Sequence, residues 1–208
     1  MLKSSLFLAL GLGALACNAD PAKGKPRASV AEPGVAVSAI AGATQFRFDQ
    51  AGSSIEFVGA KVTRRHAGRF DAFRGTLQLL DADPTKSAVA VTIDTATLSA
   101  DDDKLTRHLK SPDFFDVERF PKATFTSTSI TVGGQDGATH TITGNLELHG
   151  VTKQITFPAQ IKTMREAVEA TAEFAINRKD FGIAYSGAAG DLIREQVLLM
   201  IKLRATRS

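Results

Sequence analysis

The chain has 208 residues, of which 43% are hydrophobic and 23% are charged, as is usual for a globular protein. This composition excludes a wholly disordered chain, a collagen-like chain and a multi-span membrane protein. Lys and Arg number 25 against 22 Asp and Glu, and the resulting net charge of +3 is too small to indicate a nucleic-acid partner. The single Cys excludes an internal disulfide and a cysteine-based metal site.

Residues 1–16 have the pattern of a secretory signal peptide. The apolar run over residues 6–16 is too short to cross a hydrocarbon core of about 30 Å. Residues 14–16 form an A-x-A site for ordinary signal peptidase, whereas Cys17 stands where the lipidated thiol of a bacterial lipobox would be, although the Leu and small residue before it are swapped. Because Cys17 is the only thiol and ends the leader, we favour a lipoprotein. We therefore expect an exported protein, in the periplasm or cell envelope, held to a membrane by its lipid anchor.

Residues 17–43 form a second segment with a different composition. It contains Pro21, Pro26 and Pro33 among Ala, Gly and Ser residues, and it has no hydrophobic periodicity. Segments of this kind cannot bury enough apolar surface to fold alone. We expect a disordered tether here, followed by one folded domain over residues 44–208.

From residue 44 onward, short segments alternate apolar and polar residues with a period of two. Examples are residues 89–93, 168–176 and 197–203. This pattern is typical of half-buried strands, and turn residues separate the segments, for example at residues 50–53. No helix of useful length separates most of the strands, so parallel crossovers are excluded. The sequence therefore predicts an all-β fold, a closed antiparallel sheet of eight or nine strands.

One stretch, residues 99–111, is predicted to be helical. Ser99 is the candidate N-cap, Pro112 would stop the helix, and Leu105 and Leu109 lie four apart on one face. The pattern leaves two interpretations open: a lid or plug at the mouth of a barrel, or a helix that covers an open sheet edge. The residues that would close the mouth are Leu105, Leu109, Phe114 and Phe115.

The strong catalytic and metal-binding motifs are absent from the sequence. There is no G-x-S-x-G, P-loop, H-E-x-x-H or C-x-x-C motif, and we expect no enzyme activity. His140 and His149 fall on opposite faces of one predicted strand, so they cannot chelate an ion together. We expect neither a metal nor a cofactor.

Two groups of charged residues are candidates for a polar site. Arg64, Arg65 and Arg69 with His66 form a local basic cluster that could receive a pyrophosphate or carboxylate, or could be a solvated turn. In the segment INRKDFG, Arg178 and Asp180 are expected to pair with each other or to cap backbone groups where the chain turns.

Five segments together resemble the YceI family, the lipocalin-like polyisoprenoid-binding proteins of bacterial envelopes. The family order is kept, and the resemblance covers nearly all of residues 45–205. The segments are FVGAKVTRRHAGRFDAFRG (residues 57–75), RHLKSPDFFDVERFPKATFTST (107–128), TITGNLELHGVTKQITFPAQI (141–161), INRKDFGIAY (176–185) and GDLIREQVLLMIKL (190–203).

The resemblance implies an eight-stranded antiparallel lipocalin-like β-barrel with one short helix near its opening. It also implies a tunnel for an isoprenoid, such as a polyprenyl chain or quinone, or for a fatty-acid-like amphiphile. The residues expected to contact the ligand tail are Phe57, Phe70, Phe73, Leu105, Leu109, Phe114, Phe115, Phe125, Leu146, Phe157 and Phe174. The residues expected near its head group are Arg64, Arg65, His66 and Arg178.

A second function remains open at this point. A small eight-stranded barrel can be filled by its own side chains. Such a solid barrel would bind no ligand, and the protein would then be an envelope module that binds a protein partner through its loops. The oligomeric state, a dimer included, is left open by the sequence.

Overall fold

The computed structural model describes residues 20–208. Among these residues there is one α-helix, α1 (Asp103–Lys110), and most of the rest is β-structure. The strands are β1 (Ser29–Ala31), β2 (Thr44–Asp49), β3 (Ser54–Ala60), β4 (Arg65–Phe70), β5 (Phe73–Leu79), β6 (Ser87–Asp94), β7 (Leu98–Ala100), β8 (Lys122–Val132), β9 (His140–Leu148), β10 (Val151–Thr163), β11 (Ala167–Asn177), β12 (Gly187–Ala188), β13 (Asp191–Leu192) and β14 (Gln196–Arg207). Short 3₁₀ helices cover Pro84–Lys86, Thr95–Thr97, Gln135–Gly137 and Arg178–Phe181.

The strands close into an up-and-down barrel. Strands β2 and β3 are both antiparallel to β14, so together they form one long strand that is interrupted at residues 50–53. Strands β4 and β5 form a second long strand, and β6 and β7 a third. With β8, β9, β10, β11 and β14 these make eight strands, each paired with the next, and β14 closes on the first. The predicted eight-stranded antiparallel barrel is confirmed; residues 50–53 bend the chain without reversing it.

The helix is shorter than the sequence predicted. It begins after Asp102, whose Oδ1 accepts a hydrogen bond from the backbone N–H of Leu105 at 2.8 Å. Ser99, the predicted N-cap, lies instead in β7, where it pairs with Arg69 and its hydroxyl donates to Asp71. Because Ser99 is paired within the sheet, it does not cap the helix. Asp102, three residues later in the run of aspartates, is the N-cap instead.

The N-terminal segment differs from the expected disordered tether. Residues 29–31 form β1, which is antiparallel to β10 at residues 154–156. The backbone N–H of Ala28 donates to the carbonyl of Ala175, at 2.9 Å, and the N–H of Ala175 donates to the carbonyl of Pro26, at 2.8 Å. Within residues 20–43, therefore, the chain is ordered against the barrel wall.

Further along, the same segment crosses the outside of the barrel. Gly34 exchanges two hydrogen bonds with the side chain of Asn145, at 2.9 and 2.7 Å. The N–H of Val37 donates to the carbonyl of Ser127, and the N–H of Ile40 donates to a side chain of β5. We name residues 20–43 the N-terminal strap. The predicted signal peptide, residues 1–16, and Cys17 lie outside the described residues.

Candidate functional site: an apolar cavity with a basic corner

The barrel encloses a cavity of about 270 Å³. A single water molecule needs only about 10–15 Å³ of such space, so the interior has room for a ligand many times larger. Nearly all lining residues are apolar and come from every barrel strand and from α1. The alternative of a solid barrel filled by its own side chains is therefore wrong.

Most of the predicted tail residues line this cavity. They are Phe57, Phe70, Leu105, Leu109, Phe114, Phe115, Phe125, Leu146, Phe157 and Phe174. The exception is Phe73, which is buried in the core beside the bend between β4 and β5 and does not reach the cavity. Period-two patterning places Phe73 on the inner face of its strand. The same pattern does not show how far along the barrel axis the cavity extends, so it does not show that Phe73 lies beyond it.

Two groups of aromatic rings border the cavity. Phe57, Phe70 and Phe115 have ring centroids 5.8–6.3 Å apart. On the opposite strands, Phe157 stacks on Phe174 with centroids 4.1 Å apart and planes 11° from parallel. Such rings give a large apolar surface without a polar group that needs a partner.

Three strand glycines lie under phenylalanine rings from neighbouring strands. A Cβ on Gly68 would lie 2.3 Å from the ring of Phe57, and a Cβ on Gly144 would lie 2.3 Å from the ring of Phe125. The rings therefore rest on bare backbone at the wall, which leaves the centre of the barrel open. The pairs are Gly68 with Phe57, Gly75 with Phe48, and Gly144 with Phe125. An isolated Gly within a strand pattern indicates such a close approach, and this signal was available in the sequence.

Helix α1 covers the end of the barrel where β3 ends and β4 begins. Leu105 and Leu109 project from the helix into the cavity, and Phe114 and Phe115 follow it. Outside them, the ring of His108 contacts Phe114 with centroids 5.0 Å apart. Of the two interpretations of the helix, the lid is the one that these contacts support.

The predicted head-group residues divide into two pairs. Arg64 and Arg65 are exposed and do not line the cavity: Arg64 lies in the turn between β3 and β4, and Arg65 is the first residue of β4. His66 and Arg178 do line it. His66 forms a hydrogen bond with the carboxylate of Asp101, with Nδ1 and Oδ1 2.9 Å apart.

Arg178 is 4% exposed and has an unusual set of partners. Its guanidinium donates to the carbonyls of Ile183 at 2.5 Å, Arg194 at 3.1 Å and Ile193 at 3.4 Å. The predicted pairing with Asp180 does not form, and Asp180 is exposed; the backbone-capping alternative is the one observed. Burial lowers the pKa of the Arg178 guanidinium from its ordinary value, because desolvation disfavours the charged form.

Two further basic residues were missed by the sequence reasoning. Lys61 and Arg194 line the same cavity, next to His66 and Arg178. Lys61 is bridged to Ile193, and the N–H of Arg194 donates to the carbonyl of Ala60 at 2.8 Å. Because these contacts join chain segments far apart in sequence, no local pattern predicts them. We name Lys61, His66, Arg178 and Arg194 the basic corner.

Within residues 20–208, no group of three or more His, Cys, Asp or Glu side chains is arranged to hold a metal ion. In the same part of the chain, no helix is long and apolar enough to cross a membrane.

An eight-stranded antiparallel barrel around an apolar cavity defines the protein as a barrel of the ligand-binding type. The family profile described as the YceI-like domain matches residues 46–205. The chain therefore belongs to the YceI family, as the resemblance in the sequence implied.

Relatives of similar sequence agree with this membership. A UPF0312 protein of Pseudomonas putida (strain W619) is 32% identical over 161 residues, which are 73% of this chain and 82% of that protein. Protein YceI of Salmonella arizonae is 38% identical over 124 residues, 56% of this chain and 62% of that protein.

Among solved structures, Burkholderia cenocepacia BcnA has a TM-score of 0.67 at 22% identity, covering 76% of this chain and 99% of that one. A polyisoprenoid binding domain from Saccharophagus degradans, described as implicated in plant cell wall breakdown, has a TM-score of 0.61 at 16% identity, covering 80% of this chain and 99% of that one. These likenesses show the fold.

Proposed function

We propose that the protein binds an isoprenoid, such as a polyprenyl chain or quinone, or a similar long-chain amphiphile, and carries or sequesters it in the cell envelope. The observation that carries the proposal is the cavity of about 270 Å³ with an almost wholly apolar lining. The name of the Saccharophagus degradans domain, which states polyisoprenoid binding, supports the same ligand class.

The apolar lining supplies the main driving force for binding. Transfer of a CH₂ group from water to an apolar site gains about 0.8 kcal/mol, so ten buried carbons gain about 8 kcal/mol before the costs of association. Association itself costs about 4–15 kcal/mol, so the affinity grows with the length of chain that the cavity buries. No catalytic group is needed for this function.

The polar groups of the lining favour binding without catalysis. Among the described residues, the hydroxyl of Ser87 donates to the carbonyl of Pro84 at 2.6 Å. His66 lies near the opposite end of the barrel, beside β3 and α1, so the two do not form a nucleophile and base pair. We propose that the protein has no enzyme activity and requires no cofactor.

The test uses two tryptophan substitutions on β9. Leu146 lines the cavity, whereas Glu147 is exposed on the outer face of the same strand. Leu146→Trp should fill the cavity and lower the amount of lipid that co-purifies with the protein, as measured by solvent extraction and mass spectrometry. It should still fold, with an overpacking cost of about 1–3 kcal/mol. Glu147→Trp is the matched control and should keep its lipid.

Two outcomes would overturn the proposal. One is equal loss of lipid in both variants. The other is the absence of any bound amphiphile from the wild-type protein, even after incubation with a long-chain isoprenoid.

We further propose that Cys17 is lipidated and holds the protein to an envelope membrane. The support is the position of the only thiol at the end of the leader. Two acyl chains are needed for stable anchoring, since one chain alone binds marginally. Cys17→Ser should move the protein from the membrane fraction to the soluble fraction; a wild-type protein that is already soluble, with no added mass, would contradict this and favour the A-x-A cleavage site.

A further inference from the structure

The eight barrel strands leave a gap in the wall between β10 and β11. These two strands pair between residues 160–163 and 168–171. Toward the end of the barrel that α1 covers they separate, and the N-terminal strap lies between them. There β1 pairs with residues 154–156 of β10, and the backbone of Ala28 bonds to Ala175 of β11. The strap is therefore bonded to both edges of the gap and completes the wall.

The gap follows from Pro158 in β10. The N–H of Ile161 donates to Oγ1 of Thr139, the residue before β9, at 2.9 Å. Successive N–H groups of a strand point to opposite sides, so the positions of residues 160 and 158 face β11. Proline has no N–H, and the pairing of β10 with β11 ends at residue 160.

The gap lies over the cavity. Ile155 and Phe157 of β10 line the cavity on one side of it, and Phe174 and Ile176 of β11 line the cavity on the other side. These four residues belong to one buried cluster, and Ala28 of the strap packs against that cluster. Ala28 has a small side chain, so the strap completes the wall chiefly with its backbone. Departure of the strap would expose the edge of the cluster between the two strands.

The strap is held mainly by bonds that water can replace. All three residues of β1 are exposed. Lys25 pairs with Glu173 at 3.0 Å, and Glu32 pairs with Lys153 at 2.7 Å, but both carboxylates are exposed to solvent. Exposed ion pairs add little stability. A segment with few buried apolar contacts opens locally at a lower free-energy cost than unfolding of the whole domain.

We propose that the N-terminal strap is a gate: residues 26–31 leave the gap between β10 and β11, and an amphiphile enters or leaves the cavity sideways through it. The proposal rests on the proposed function, since it needs a ligand in the cavity. Opening at the side spares the ligand a displacement of Leu105 and Leu109, with which α1 covers the end of the barrel. Because Pro158 lacks the N–H that continued pairing requires, β10 and β11 do not close the gap by themselves.

The test holds the strap in place with a disulfide. Ser29 and Thr156 are opposite each other in β1 and β10, and neither lines the cavity. Opposite residues of antiparallel strands have Cα atoms about 4.5–5.5 Å apart, which a disulfide can span. Ser29→Cys and Thr156→Cys are combined in the full-length chain with Cys17→Ser, which removes the native thiol.

The probe is retinol, a fluorescent isoprenoid alcohol. Its uptake gives the association rate, and its transfer to an excess of phosphatidylcholine vesicles gives the dissociation rate. With the disulfide formed, we expect both rates to fall about tenfold or more and the Kd to stay within about twofold, because a gate alters the path between the free and bound states and not the states themselves. Reduction with dithiothreitol should restore both rates.

A matched control places a disulfide on the other side of β11. Glu169→Cys with Arg204→Cys joins β11 to β14 on the outer face of the barrel, and neither residue lines the cavity. Both retinol rates should stay within about twofold of the wild-type rates when this disulfide forms. If the pair at Ser29 and Thr156 does not oxidise, Ala31→Cys with Gln154→Cys replaces it two residues along the same strands.

A further variant loosens the strap instead of fixing it. Asn145 exchanges two hydrogen bonds with Gly34 and does not line the cavity. Asn145→Ala should raise both retinol rates about threefold or more and leave the Kd within about twofold. Opposite shifts in the loosened and the disulfide-bonded variants distinguish a gate from a general loss of stability, which would not slow exchange.

The outcomes separate the gate from the proposed function. Unchanged retinol rates in the oxidised variant, with the disulfide confirmed by mass spectrometry, would overturn the gate and leave amphiphile binding intact. If neither retinol nor cis-parinaric acid binds to the wild-type protein, the proposed function fails, and the gate fails with it.

Discussion

The barrel wall is closed in two different ways on the two sides of β11. Toward β14, β11 pairs along its whole length, with eleven residue pairs in register. Toward β10, only four pairs form, between residues 160–163 and 168–171. We call the first the long seam and the second the short seam.

Beyond its four pairs, the short seam is closed by other groups. The N-terminal strap bonds to β10 through β1 and to β11 through the backbone of Ala175. Inside the barrel, Phe157 of β10 stacks on Phe174 of β11. The long seam is therefore held by hydrogen bonds between β11 and β14 along their whole paired length. The short seam depends in addition on the N-terminal strap, which lies outside the eight strands.

Removing the N-terminal strap should weaken the short seam most and should cause the largest loss in the free energy of unfolding. A chain that begins at residue 41 loses the backbone bonds to Ala175, Ser127 and β10. At about 0.5–1.5 kcal/mol for each hydrogen bond, we expect the free energy of unfolding in urea to fall by about 3 kcal/mol or more.

Hydrogen exchange would show where that stability is lost. The amides of residues 154–156 and of Ala175 should exchange faster in the shortened chain, whereas amides of the long seam should change only by the global loss. Equal stability of the two chains would mean that the strap does not close the short seam.

Replacing the phenylalanine ring at position 157 with an aliphatic side chain should have an intermediate effect on the free energy of unfolding. Phe157→Leu removes the stack with Phe174 and leaves the ladder of the long seam unchanged. We expect a loss of about 1–2 kcal/mol in the free energy of unfolding, since a ring pair adds about 0.5–1.5 kcal/mol beyond its buried area. The loss should be smaller in the chain that begins at residue 41, where the seam is already open; full additivity of the two changes would contradict the coupling.

The smallest effect is expected from the ion pair between the strap and β10. Glu32 and Lys153 are 2.7 Å apart, but the Glu32 side chain is 85% exposed. Glu32→Gln should change the free energy of unfolding by less than about 0.5 kcal/mol, because exposed ion pairs are screened by solvent. A larger loss, measured in the same urea titration, would show that charge rather than backbone bonding fixes the strap.

The sequence predicted the barrel and missed the strap for the same physical reason. Barrel strands such as β11 bury alternate side chains, so their pattern shows in the sequence. In β1 all three residues are exposed, and the strand is held by main-chain bonds. Every residue type has a backbone carbonyl and all but Pro have an N–H, so these bonds leave no hydrophobic pattern in a Pro- and Ala-rich segment.

The residues of the candidate site also fall into those that the sequence predicts and those that it does not. Inward apolar residues such as Leu146 and Phe125 follow from period two. Arg194 is brought to the cavity by its contacts with Ala60 and Arg178, which depend on how distant strands meet. Phe73 shows a second limit of the pattern. Period two predicts that its side chain points inward, but not whether it lies at the same height along the barrel axis as the cavity.

The contact between Asp20 and Arg194 places the start of the described chain beside the basic corner. Cys17 is only three residues before Asp20, and three residues span at most about 11 Å when fully extended. A diacylated Cys17 would therefore keep Asp20, and with it the basic corner, within about 11 Å of the lipid headgroups. An amphiphile could then pass between membrane and barrel without crossing bulk water, so exchange would be governed by lateral encounter in the membrane plane rather than by the ligand's very low aqueous solubility.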